Sequence, residues 1–296
     1  MEELGFINYA FGIGGLLLGS IFFGIAFNSY RKYRLVADTP TSKIRSAPQG
    51  YVEIKGTFET IDGSLNSKGP FSGEPCLWHY LELFESRDED RTPIGGVPDP
   101  RPCLLTDETG ACLVLASEAD SLSNLPFEPY GSDTVEPLAP DSEQYNGALT
   151  AEEYRIHTGP GYALGRFMTP EIQKHVSQNR TAIGRITNYF DSWQSRFSGD
   201  NSQAHNQAPD ALEQSDLSED ANHDKLAVAS LLWARRRSGR NDIHSVILPT
   251  DEPRRPFIIG IGESQDVSKK YLTEAIIWSV GTLLFGIGAG SVVVFA

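Results

Sequence analysis

The sequence predicts a membrane protein in which two transmembrane helices flank a mainly β soluble domain, barrel- or sandwich-like and of α+β character. Three observations predict it. Residues 4–27 carry no charge, and neither do residues 275–296. Between them, short stretches alternate apolar and polar residues with the period of two that a half-buried strand requires. Boundaries follow from these patterns: a span at 4–27, a juxtamembrane linker at 28–50, and a β-rich region at 51–197 that ends in a helix. A polar and acidic insertion occupies 198–224, a last helix and strands 225–271, and the second span 272–296.

A helix rises about 1.5 Å per residue, so roughly 20 apolar residues cross a hydrocarbon core of about 30 Å. Both uncharged runs meet that length. The first is too long for the core of a cleaved signal peptide, and Glu2 and Glu3 stand where such a peptide carries basic residues. An uncleaved anchor is therefore expected.

Arg31, Lys32 and Arg34 follow the first run, and Lys269 and Lys270 precede the second. Positive charge collects on the cytoplasmic side of a bilayer, which places the middle domain in the cytoplasm of a bacterial inner membrane. Gly15 and Gly19 form one GxxxG pair and Gly286 and Gly290 another. Small residues one turn apart let helices approach closely, so these four are the candidate helix-packing residues, in a hairpin or in a homo-oligomer. No ionisable residue lies deep in either run, which speaks against an ion or proton path.

The formal net charge is −14. An acidic surface repels phosphate, so nucleic acid is excluded as a partner. Cys76, Cys103 and Cys112 are an odd number, against a disulfide framework and compatible with a reducing compartment.

In the middle region, Tyr51–Ile61, Cys76–Phe84, Cys103–Thr106, Ala111–Leu115, Glu153–His157, Tyr162–Phe167, His244–Leu248 and Pro256–Gly260 read as strands. Asp107-Glu-Thr-Gly110 reads as a tight turn that sets Cys103 opposite Val114 and Leu105 opposite Cys112. Glu171–Phe197 is expected to be a helix, with Ile172, Val176, Ile183, Ile186, Phe190 and Trp193 on its apolar side. Lys225–Arg237 is a second, its arginines suiting the negative end of the helix dipole. Ser198–Asp224 lacks large apolar residues and reads as disordered. Glu85–Arg101 and Glu128–Gln144, rich in proline, glycine and acid, read as loops.

Several of these segments carry a resemblance. Asp38-Thr-Pro-Thr-Ser-Lys-Ile-Arg-Ser-Ala-Pro-Gln-Gly50, running into Tyr51-Val-Glu-Ile-Lys-Gly56, resembles the start of the GIDE domain. Gly73-Glu-Pro-Cys76, Asp107–Gly110, Glu153-Tyr-Arg-Ile156, Tyr162-Ala-Leu-Gly165 and Pro256-Phe-Ile-Ile259 follow in that family's order. The family is typified by the mitochondrial ubiquitin ligase activator of NF-κB and includes bacterial relatives. The resemblance implies a membrane-flanked, β-rich interaction or sensing domain, held in the intermembrane space by the eukaryotic members. There a RING domain after the second span confers ubiquitin transfer. A RING takes eight Cys/His ligands, usually with CxxC pairs; this sequence has none, and its six histidines are scattered. Ligase activity is not expected from these residues.

No catalytic, cofactor or metal constellation stands out. Asp107-Glu-Thr-Gly110 is a turn and not a protease triplet. His79 and His157 fall inside strands, as structural histidines do, and the cysteines are expected in the core. Arg235, Arg236, Arg237 and Arg240 form the one dense basic cluster, a candidate contact for anionic lipid or an acidic partner. The expected function is a membrane-anchored scaffold or sensor that recruits a protein partner without catalysis. The alternatives are a ubiquitin-ligase-type protein by resemblance and a glycine-packed, channel-like oligomer.

Overall fold

The structure is a computed structural model that describes residues 2–63, 67–87, 90–135, 148–198, 223–250, 252, 255–262 and 265–294. Backbone alone is described at 2–12, 195–198, 265–267 and 286–294. The chain divides into two compact units, Met1–Thr39 with Glu263–Ala296, and Pro40–Gly262.

The first unit begins with helix α1 (Glu2–Asp38). The second opens on β1 (Thr41–Ser42), which lies parallel to β2 (Gly50–Glu59). A small ladder, β3 (Ser67–Lys68) with β4 (Pro75–Cys76), leads into β5 (Trp78–Arg87) and β6 (Asp90–Pro98). Then come β7 (Cys103–Asp107), β8 (Gly110–Val114), β9 (Ser121–Ser123), β10 (Phe127–Tyr130) and the short α2 (Ser132–Val135). The long strands β11 (Ala148–Ile156) and β12 (Gly159–Met168) precede α3 (Ile172–Ser198), α4 (His223–Ser238), β13 (Ser245–Leu248) and β14 (Ile258–Ile261). The final helix, α5 (Gln265–Val294), belongs to the first unit.

Five strands of the second unit close into a barrel. β2 is antiparallel to β7, β7 to β8, β13 to β12, and β12 back to β2; β8 and β13 are parallel. The Asp107–Gly110 turn sets Cys103 opposite Val114 and Leu105 opposite Cys112, the register its residue types predict. Tight coiling at β2–β12 depends on a glycine pair. Gly56 and Gly161 stand opposite each other, where a Cβ on Gly56 would lie 2.2 Å from the Thr106 carbonyl oxygen and one on Gly161 2.5 Å from the Phe58 ring.

Alternation sends Val52, Ile54, Phe58, Leu105, Cys112, Val114, Ala163 and Phe167 inward to one core. The intervening Leu104, Leu113, Leu115, Val246 and Leu248 form a second core with α3 and α4. Helix cover on the outer face explains why these strands read as unbroken apolar runs. α3 supplies Ile183, Ile186 and Phe190, and α4 supplies Ala227, Val228, Leu231 and Trp233. Phe190 meets the Trp233 ring edge-on at 5.8 Å, and Trp233 Nε1 donates to Asp191 Oδ1 at 2.9 Å. A side chain of that size, fully buried, contributes about 1.5–3 kcal/mol.

A second sheet of order β10-β11-β5-β6 is antiparallel throughout. The expected loop at Glu85–Arg101 is corrected here: most of it is the end of β5 and the edge strand β6. Pro93, Gly95 and Gly96 are tolerated because an edge strand pairs on one side only. Of Glu128–Gln144, the first residues form β10 and α2 and the rest lies outside the described residues, as does nearly all of Ser198–Asp224.

The expected fold class, with two flanking spans, is also corrected. Among the described residues one helix, Ile13–Asp38, is long and apolar enough to cross a membrane. α5 begins with Asp266, Lys269, Lys270 and Glu274 spread over three turns. What the chain presents is a mainly β protein built on a five-stranded barrel, with one apolar N-terminal helix and a C-terminal helix that pack against each other in a separate unit. Phe22 of α1 meets Trp278 and Phe285 of α5 in tilted contacts, at 5.4 and 5.2 Å.

Candidate functional site

β5 and β11 lay aromatic and acidic side chains on one face because strand residues two apart share a side. Their register sets Tyr80 opposite Tyr154 and Glu82 opposite Glu152, and β10 adds Phe127 opposite Tyr154. The rings form a continuous row. Trp78 stacks on Tyr80 at 6.5 Å with 5° between the planes, Tyr80 meets Tyr154 at 5.9 Å, and Tyr154 meets Phe127 at 5.3 Å. Trp78 is pinned from behind, its Nε1 donating to the Asp99 carbonyl at 2.6 Å. Phe127 is 51% exposed, unusual for a ring of that size.

Facing Trp78, Tyr80 and Tyr154 are the turn at Ala116–Ala119 and strand β9, which contributes Leu122. Asp120 fixes this wall: its carboxylate accepts from Phe257 N–H at 2.7 Å and its own N–H donates to the Phe257 carbonyl at 2.9 Å. The walls enclose a cleft of 310 Å³. That is near the lower end, about 300 Å³, of sites that take up a small ligand or one anchoring side chain. Glu82 and Asp120 line the cleft, and among the described residues no lysine, arginine or histidine does.

Charge at this face is uneven. Glu152 accepts from Tyr154 Oη at 2.7 Å and from Arg91 at 2.6 Å. The Arg91 guanidinium lies over the Phe84 ring at 3.7 Å. Burial and then the neighbouring Glu152 raise the Glu82 carboxyl above the usual range, opposed by Arg91 and by a hydrogen bond from Tyr154. Burial and the Glu82 charge push the Tyr80 phenol up.

A second polar cluster lies deep in the same unit. Arg101 holds Asp99 through Nε–Oδ1 at 2.8 Å and donates to Ser67 Oγ at 2.7 Å. His79 Nδ1 is 3.4 Å from Ser67 Oγ and 3.7 Å from Asp99. Serine and aspartate address the same ring nitrogen, whereas a nucleophilic relay needs them on opposite nitrogens. Burial pushes the His79 pKa down, against the raising effect of Asp99. The adjacent cavity, lined by Ser67, Cys76, Arg101 and Cys103, holds 40 Å³, room for water and little more. Nearby Glu153, 0% exposed, accepts from Phe71 N–H at 2.7 Å, Ser72 N–H at 3.1 Å and Ser72 Oγ at 2.6 Å. Arg155 joins it at 3.6 Å and reaches Glu128 and Glu74 at 2.8 and 3.1 Å. Both clusters fasten loops to the second sheet.

The residues singled out by sequence fall elsewhere. Gly15 is half-buried and Gly19 buried in α1; Gly286 and Gly290 lie on α5 where backbone alone is described. Among the described side chains, Phe22 of α1 meets α5 at Gly281, where a Cβ would stand 3.4 Å from the ring. The four arginines are each tied within the domain. Arg235 bonds the Ile243 carbonyl at 2.8 Å, Arg236 pairs with Asp191, Arg237 with Asp62 at 2.7 Å, and Arg240 with Asp242 at 2.7 Å. Cys76, Cys103 and Cys112 are free thiols, all buried. The aromatic row was half visible in Trp78-His-Tyr-Leu-Glu82, but its partners on β10 and β11 have no local signal linking them to β5.

No protein-family model, curated protein or solved structure matches the chain.

Proposed function

We propose that this chain is a membrane-associated recruiting domain: α1 tethers it to a bilayer, and the aromatic cleft of the 40–262 unit receives a segment of a protein partner. The observation that carries this reading is the aromatic row of which Trp78, Tyr80 and Tyr154 line a 310 Å³ cleft and Phe127 continues beyond it. Rigid aromatic anchors beside a pocket are what binding hot spots are made of, since large rings bury much area at little entropic cost. Arg31, Lys32 and Arg34 at the end of α1 favour the cytoplasmic face of the membrane. The resemblance to the GIDE domain, an interaction or sensing module, points the same way and is part of the proposal.

The test is co-purification of the full-length chain in mild detergent, beside a Leu122→Lys variant that fills the cleft. A stoichiometric foreign chain that accompanies the wild type and is lost from a normally folded variant supports recruitment through the cleft. A foreign chain retained equally by both, or a homo-oligomer with no foreign chain, overturns it.

A further inference from the structure

We infer that the cleft selects an arginine side chain, presented by the partner, with the guanidinium stacked on the Tyr80 and Tyr154 rings and paired with Glu82. This deepens the recruiting role proposed above and rests on it.

The chemistry of the walls sets the sign of the ligand. Aromatic faces carry negative electrostatic potential and attract cations, the more strongly where water is excluded. Three of the four rings line the cleft together with two carboxylates, Glu82 and Asp120. Asp120 already accepts from the Phe257 N–H, whereas Glu82 receives a hydrogen bond from Tyr154 and feels Arg91, whose ion pair is with Glu152. Glu82 and Glu152 stand opposite each other on β5 and β11, and Arg91 forms its ion pair with Glu152. One guanidinium therefore serves two carboxylates that repel each other. A second cation beside Glu82 would relieve that repulsion.

The same sheet shows which cation the geometry accommodates. Arg91 spreads its guanidinium over the Phe84 ring at 3.7 Å while bonding Glu152. Phe84 and Glu82 are two apart on β5, so the arrangement of ring, guanidinium and carboxylate is already realised one step along the strand. A guanidinium is planar, stacks on rings and bonds a carboxylate through a fixed fork, properties an ammonium lacks. The cleft repeats the ring and the carboxylate without the guanidinium.

The test uses the full-length chain in detergent micelles with its tyrosine rings isotopically labelled. The probes are N-acetyl-arginine N-methylamide, the uncharged citrulline analogue of the same shape, and choline. The expected result is saturable shifts of the Tyr80 and Tyr154 rings with the arginine probe and at least about tenfold weaker response to citrulline. Glu82→Gln should bring the arginine probe down to the citrulline level while the variant keeps a cooperative thermal transition at or slightly above that of the wild type. Equal binding of arginine and citrulline, or an unchanged arginine response in Glu82→Gln, overturns charge selection and leaves the recruiting cleft to the co-purification test. A choline response exceeding that of arginine overturns the inference in favour of a lipid headgroup. No ring shift with any probe also overturns it.

Discussion

Glu82 and Glu152 face each other directly across the β5–β11 ladder, two like charges in a position where sheets ordinarily place opposites. The pair costs stability and sits on the rim of an aromatic cleft, a juxtaposition that core packing does not require. Evolution tolerates local strain of this kind where binding uses it.

Replacing Glu82 by Gln should therefore raise stability at pH 7 by about 0.5 kcal/mol while weakening cation binding. The folded pKa of Glu82 is raised, so its charge is a liability above the unfolded value and the liability fades on acidification. Denaturant melts of wild type and variant should diverge at pH 7 and converge as pH falls. Arginine-probe affinity should fall with pH through a midpoint above the ordinary glutamate value of about 4.3, with Glu152, Tyr154, Arg91 and Tyr80 setting it. A midpoint below that value would contradict the assignment.

Glu153→Ala should be among the most damaging single changes, at about 3–5 kcal/mol in denaturant melts. It deprives the Phe71 and Ser72 N–H groups and the Ser72 hydroxyl of their acceptor at once and removes one of the three carboxylates around Arg155. Glu153→Gln, which keeps an oxygen, should lose less.

Asp107 accepts from Ile44 N–H, Thr109 N–H, Thr109 Oγ1 and Gly110 N–H at 2.6–3.0 Å. Burial pushes its carboxyl up, but these bonds together hold it below the usual aspartate value. The stabilisation is complete above the unfolded pKa of about 3.9 and is lost as pH falls through the depressed folded value. Asp107→Asn should cost about 1–2 kcal/mol at pH 7, and the gap from wild type should close in melts run near pH 2.

The thiols should be silent in the folded protein. Burial pushes Cys76 up to about 12 and Cys103 and Cys112 higher than an ordinary thiol. A water-soluble thiol reagent at pH 8 should label none of the three until denaturant is added, and then all three. Rapid labelling of Cys76 without denaturant would mean that the β3–β4 ladder opens readily.

Gly281→Ile should separate α1 from α5, because the added side chain meets the Phe22 ring that now packs there. Spin labels on the two helices would read the change as a longer, broader distance.

How legible this was depended on range. Strands whose residues alternate over five or more positions, such as Tyr51–Phe58 or Tyr162–Phe167, announce themselves. β1, β3 and β9 are two or three residues long and have no period to read. β6 was hidden by Pro93, Gly95 and Gly96, which signal a break unless an edge position is known. The arginines at the end of α4 looked available because nothing local reveals that Asp62 and Asp191 meet them. For the cleft, Trp78, Tyr80 and Glu82 were visible as an aromatic strand, but Tyr154, Leu122 and Phe127 join them only through tertiary pairing.

The parallel seam between β8 and β13 has a consequence for how the chain is made. β7 and β8 emerge from the ribosome early and β13 only after both long helices have been translated, so the ring stays open for most of synthesis. Until Ser245–Leu248 arrives, the edge of β8 lacks its parallel partner strand. Long-range pairing of this kind folds slowly and exposes edges to other chains. By then α1 has long been synthesised, and if it tethers the chain to a bilayer as proposed, the open barrel waits for closure at a surface, in two dimensions instead of three.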